Sequence, residues 1–120
     1  MSAADRAKGS RLESVVAARL AELVDDRIER RARTGAKDRG DIGGVRHRGQ
    51  RVVIECKNHS RLELSTWKRQ AETEAGNDDA AIGVIVHKRY GVSLNRPGEQ
   101  WVTMTVDDLA WLLGADLDAE

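Results

Sequence analysis

Asp41, Glu55 and Lys57 place two carboxylates and an ammonium within GDIGGVRHRGQRVVIECKN (40–58), a stretch that otherwise reads as a β-hairpin. Glu55 and Lys57 lie two apart on a strand, so they project to one face. Two carboxylates whose oxygens converge make a site for a hard cation such as Mg²⁺, with water completing its shell. A cation there polarises a phosphoryl oxygen and lowers the pKa of a bound water. A neighbouring ammonium can orient that water or offset charge developing on the phosphate. These are the parts of phosphodiester hydrolysis. The plain alternative is a set of exposed ion pairs on the wet face of a hairpin, which are common and worth little. Spacing alone leaves both open.

The elements around these residues must position them. Val52, Ile54 and Cys56 alternate with Val53, Glu55 and Lys57, which is strand periodicity. Gly49 suggests a three-residue loop, His47-Arg48-Gly49, whose last residue takes the left-handed conformation. That loop sets Arg46 against Gln50 and Val45 against Arg51, and carries Asp41 opposite Glu55. Opposed residues share a face with Cβ atoms roughly 4.5–5.5 Å apart. A bulge would move the register by one.

Upstream, Ser10 predicts a helix start, and Leu12, Val15, Val16, Leu20, Leu23 and Val24 recur at helical spacing. The helix either continues to Gly35 or gives way to a short strand around Ile28. Downstream, LELSTWKRQAETEAG predicts a helix capped by Ser65 or Thr66 and closed by Gly76. The apolar run 80–87 reads as a strand buried on both faces, and 101–106 as a further strand. DDLAWLLG reads as a short helix capped by Asp107. Residues 1–9 and 115–120 are expected to be disordered ends of a single domain, 1–120.

The chain has 120 residues, 20 basic and 20 acidic, so net charge says nothing about partners. Its distribution says more. Residues 27–61 hold eleven Lys or Arg against four acids, whereas residues 98–120 hold six acids and no Lys or Arg. A basic middle on a neutral chain suits a polyanion-binding face. A lone Cys56 cannot form an internal disulfide, which suits a reducing compartment, and no apolar run nears the ~20 residues of a membrane span. A cytoplasmic protein is expected. His47, His59 and His87 are too scattered for a zinc site. His59 follows Lys57 closely and could touch a phosphate, or be a solvated loop residue. Trp67 is expected in the core; so are Trp101, Trp111, Leu112 and Leu113, for which a dimer interface is the alternative.

Gly40-Asp41, thirteen residues, then Glu55-Cys56-Lys57 after an apolar strand resembles the core motif of the PD-(D/E)xK nuclease superfamily. The chain is similar in particular to its small archaeal and phage Holliday junction resolvases. The resemblance covers about residues 9–86. It implies an α/β, restriction-endonuclease-like core with a mixed central sheet flanked by helices. It implies that Asp41, Glu55 and a helix-borne Glu13 hold a divalent metal, Mg²⁺ with Mn²⁺ able to substitute, while Lys57 assists the attacking water. Gln70 falls where a subset of these nucleases carries a Gln near the site. Two departures stand out: Gly40 replaces the name-giving proline, and Glu74 occupies the place of a Tyr that often follows that Gln. Glu13 has a second reading, because Ser10-Arg-Leu-Glu13 is a capping box in which Glu13 returns to the Ser10 N–H.

The expectation is a Mg²⁺-dependent, structure-selective endodeoxyribonuclease acting on four-way junctions in DNA recombination and repair. Alternatives are a nuclease of this fold acting on other DNA, or a non-catalytic DNA-binding module. Matched cuts in a near-two-fold junction call for a homodimer. Arg30, Arg31, Arg33, Arg39, Arg46 and Arg48 are expected to hold backbone phosphates.

Overall fold

The computed structural model describes residues 2–31 and 38–117. Helix α1 (Ala3–Leu23) begins well before Ser10. Ser2 is its cap: the Ser2 hydroxyl accepts the Asp5 N–H and the Asp5 carboxylate returns to the Ser2 N–H. The capping box is therefore Ser2–Asp5. Ser10 lies inside the helix, which leaves Glu13 free of a capping duty, and residues 3–9 are helical rather than disordered. Leu12, Val16 and Ala17 are buried, while Leu23 and Val24 stand in solvent. Of the two continuations, the short strand is realised: β1 (Glu29–Arg30) follows the buried Ile28.

Next come β2 (Ile42–Gly43), β3 (Arg46–His47) and β4 (Gln50–Lys57). The hairpin turn departs from the expected loop. His47 pairs with Gln50 and Arg46 with Arg51, so the turn has two residues, Arg48 and Gly49, both at positive φ (56° and 79°). That is the turn whose twist matches a hairpin. It shifts the register by one, and a bulge shifts it back. Ile42 pairs with Ile54, so the β2–β3 side takes one more residue than β4 between the two pairings. Gly44, at φ +84°, supplies the left-handed residue; a Cβ there would lie 2.6 Å from the Arg27 carbonyl. The two departures cancel, and Asp41 arrives beside Glu55.

Helix α2 (Leu64–Asn77) starts at Leu64 without a side-chain cap, so neither Ser65 nor Thr66 serves as one. It is the crossover that a parallel pair requires, and β5 (Ile82–His87) then runs parallel to β4. Strand β6 (Trp101–Thr103) pairs antiparallel with β5. Helix α3 (Val106–Leu112) is capped by Thr105, with Asp108 completing the box, so Asp107 sits in its first turn instead. Residues 118–120 of the expected disordered tail lie outside the described residues.

The sheet order is β1-β2-β4-β5-β6, with β3 on the extended end of β4. It is a mixed sheet flanked by helices, the restriction-endonuclease-like arrangement. One face packs Val52, Ile54 and Cys56 of β4 and Ile82, Val84 and Val86 of β5 on Leu12, Val16, Ala17 and Trp111. On the other face α2 sets Trp67 and Ala71 against Ile85. Gly83 lets α2 approach, since a Cβ there would lie 2.3 Å from the Ala71 carbonyl oxygen. No helix among the described residues is long and apolar enough to cross a membrane.

Candidate active site

Glu55 and Lys57 project from β4 toward α2, the face opposite Val52, Ile54 and Cys56. Glu55 is only 3 % exposed, which rules out a solvated ion pair. Asp41, just before β2, reaches the same place. Its N–H donates to the Ile54 carbonyl (3.0 Å), and its Oδ2 accepts the Cys56 N–H (2.8 Å). A backbone donor thus fixes the Asp41 carboxylate next to Glu55. Lys57 does not pair with Asp41; its Nζ donates to Gln70 Oε1 of α2 at 2.8 Å.

All five predicted catalytic residues, Glu13, Asp41, Glu55, Lys57 and Gln70, line one cleft of about 320 Å³. Glu13 occupies its α1 side. Its carboxylate accepts from Arg30 Nε (2.8 Å), and Arg30 also donates to Ser10 Oγ (3.1 Å). Burial raises the Glu13 pKa, the Arg30 bond opposes that rise, and the charges of Asp41 and Asp38 add to it.

Two acids belong to this centre that the sequence reading did not assign to it. Asp38, Glu55 and Glu74 each offer a carboxylate oxygen within 4.8 Å of the others. Glu74 is 2 % exposed, and neither of its oxygens has a hydrogen-bond partner among the described residues. Helical spacing carries a signal for it: Trp67, Gln70, Ala71 and Glu74 fall at i, i+3, i+4 and i+7, one stripe facing the sheet. Asp38 lies in an irregular segment with no such pattern. It is anchored by the Gly40 N–H, which donates to its Oδ1 (2.9 Å), and by Asn77, which donates to its carbonyl (2.9 Å).

Crowding these acids has an electrostatic consequence. Burial, then the neighbouring Asp41 and Glu74 carboxylates, pushes the Glu55 pKa far above the carboxylate range. Burial likewise lifts Glu74 to about 7, with the neighbouring Glu55 carboxyl opposing the rise and Asp38 and Asp41 adding to it. Buried acids without a cationic partner hold protons or take up a cation. The donor set is all carboxylate oxygen, the chemistry of a hard divalent ion, and the partnerless Glu74 oxygens fit such an ion. Cys56 faces the apolar core, where burial pushes its thiol pKa up.

The predicted phosphate-binding arginines divide. Arg30 is held by Glu13; Arg31 pairs with Asp78 (3.2 Å) and donates to the Arg39 carbonyl (2.7 Å). Arg48 donates to the Trp111 and Ala115 carbonyls (3.3 and 3.0 Å) at the end of α3. Arg39 and Arg46 are exposed. Arg33 lies outside the described residues. His59 is exposed at the cleft rim, 5.8 Å from the Trp67 ring. The expected core set divides too: Trp67 and Trp111 are buried, Leu112 is partly buried against the core, and Trp101 and Leu113 are exposed.

Residues 4–112 match the model of the family described as "Phage putative PDDEXK endonuclease". Neither the curated proteins nor the solved structures give a match.

Proposed function

The chain belongs to that phage PDDEXK endonuclease family, and we propose that it is a Mg²⁺-dependent, structure-selective endodeoxyribonuclease that cuts four-way DNA junctions as a homodimer. Membership supports nuclease activity, and nucleases of this superfamily generally depend on divalent metal. The metal-dependent nuclease reading rests on one observation: Asp38, Asp41 and Glu55 line one cleft with the Lys57–Gln70 pair, and the buried Glu74 brings a carboxylate oxygen within 4.8 Å of those of Asp38 and Glu55.

Glu55 is the centre of the proposed cation site, with Asp41, Asp38 and Glu74 around it. A bound divalent ion would supply Lewis acidity toward the phosphoryl oxygen and a more acidic water. Asp41 keeps one oxygen on the Cys56 N–H, so its carboxylate is oriented before substrate arrives. Lys57, steered by Gln70, presents its ammonium to the attacking water or the developing phosphorane charge. Glu13 is a positioning residue, on the α1 side of the cleft with Arg30 bonded to its carboxylate. Arg39 and Arg46 would bind backbone phosphates, with Arg30, Arg31, Arg33 and Arg48 as further candidates. Such contacts carry no base sequence and make affinity steeply salt-dependent. The acid–acid–lysine set is whole, which speaks against a non-catalytic module. The setting would be the host cytoplasm, in recombination or repair of DNA.

The test is a substrate panel with Mg²⁺: labelled four-way junction, linear duplex and single strand. Symmetric nicks in the junction alone are expected. Duplex cut as fast as junction would overturn junction selectivity and leave the nuclease. Binding without cleavage under any divalent metal would overturn the nuclease reading.

A further inference from the structure

Beside the acidic cleft lies a second hollow of about 490 Å³, lined by Lys8, Leu62, Lys88, Tyr90 and Trp101. Asn58 and His59 line both hollows, so the two adjoin. The sheet register explains the placement. Lys57 pairs with His87, and His87 with Trp101. Paired residues share a face, so Trp101 stands two strands from Lys57 on the α2 side of the sheet. Two strand spacings amount to about 10 Å, within three nucleotides even at the B-form rise of about 3.4 Å each.

The aromatic groups here serve no core. Tyr90 is 98 % exposed and Trp101 48 % exposed, whereas Trp67 and Trp111 are buried. Their platform is nonetheless built. Gln100 is buried; its amide donates to the Val92, Ser93 and Arg96 carbonyls, and its oxygen accepts the Arg89 N–H (2.8 Å). Those bonds pin the loop that carries Tyr90. The Lys88 N–H donates to the Lys57 carbonyl (3.1 Å), tying the loop to the catalytic strand. Arg89 sits over the Trp101 ring, 4.2 Å from its centroid. Exposed rings on a fixed loop, flanked by Lys8, Lys88 and Arg89, have the chemistry of a single-strand stacking platform.

The geometry points to a subsite in which Tyr90 and Trp101 stack an unpaired nucleobase next to the scissile phosphate. This rests on the nuclease reading of the neighbouring cleft and adds to it a preference for junctions with a nucleotide unpaired at the branch point. Lys8 and Lys88 bind the flanking phosphates. A fully paired end offers no free base face and gains nothing from the platform.

The test is binding of a labelled eight-residue thymidine oligonucleotide in EDTA, where no cutting occurs, read by anisotropy and by quenching of Trp101 fluorescence. Tyr90→Ala is expected to weaken binding about five- to a hundred-fold, and Trp101→Ala likewise, with Trp101→Phe retaining affinity. Blunt duplex affinity should move less than twofold. Tyr90 is almost wholly solvated, so its replacement leaves folding intact. Unchanged oligonucleotide affinity in both alanine variants overturns the subsite, as does an equal loss for duplex. A change of oligomeric state in Trp101→Ala with Tyr90→Ala silent also overturns it, because the rings would then serve a second copy. Cleavage of branched DNA by the wild type is scored separately. A wild type that cuts while the variants bind fully removes only the subsite; selective binding without any cutting removes only the nuclease reading.

Discussion

Strand β4 has two faces built from the same eight residues, and they solve opposite problems. Val52, Ile54 and Cys56 meet α1 and α3 in an apolar cluster. Val53, Glu55 and Lys57 meet α2, where the apolar contact shrinks to Trp67, Ala71 and Ile85 and the remaining space holds acids. The first face contributes stability through buried apolar area. The second gives some of it up, because buried carboxylates destabilise a fold unless protonated or paired with a cation. A fold that tolerates this cost places the comparison at the level of function.

Substitutions can break the contrast. Lys57→Ala should lower the DNA cleavage rate about a hundred- to a thousand-fold with little change in melting temperature, since among the described residues the Lys57 ammonium bonds to Gln70 alone. Comparable loss of stability and activity would make it a structural residue. Gly83→Ala attacks the scaffold, because its methyl would meet the Ala71 carbonyl. A loss of about 1–3 kcal/mol by chemical denaturation is expected, together with reduced cleavage as α2 carries Gln70 and Glu74 away; unchanged stability would show that α2 does not rest on Gly83.

The pH dependence of the metal-free protein sharpens the same contrast. Glu74 has a folded pKa raised to about 7 from an ordinary value of 4.5. Its protonated form is the one the fold favours, so that stability is fully present below pH 4.5 and is lost as pH rises through 7. The loss is on the order of 3 kcal/mol, and Glu55 is shifted in the same direction. Melts between pH 5 and 8 should therefore fall without divalent metal, and Glu74→Gln should flatten the trend. A melting temperature that is level or rises over that range contradicts the assignment of Glu74 to a site awaiting a cation. The smallest effect is expected from Arg48→Ala, about 0.5–1 kcal/mol by chemical denaturation, from loss of its bonds to the α3 carboxyl-terminal carbonyls.

The legibility of this centre in the sequence followed its periodicity. Alternation in VVIECK fixed which β4 residues face which way, and Gln70 was found from its place on α2 and a family resemblance. The meeting of Asp41 with Glu55 was anticipated through a loop of the wrong length; the Gly44 bulge restored the register that the Arg48–Gly49 turn displaced. Turn length and bulge position depend on packing of Gly44 against the Arg27 backbone, a contact distant in sequence. Glu74 was readable in principle from helical spacing. Asp38 was not, because its position depends on bonds to Gly40 and Asn77. Ser2, rather than Ser10, caps α1 because both serines precede an acid by three residues, and the local pattern does not choose between them.

The most direct measurement of the central claim is single-turnover cleavage of a labelled four-way junction by wild type and Glu55→Gln, with and without Mg²⁺. Glu55→Gln keeps the shape of the side chain and removes the charge that the cation site needs. Mg²⁺-dependent nicks by the wild type are expected, with about a hundred- to a thousand-fold loss in a variant that melts no lower than the parent in the absence of metal. Wild-type cutting that persists in EDTA, or Glu55→Gln cutting at the wild-type rate, would contradict the claim.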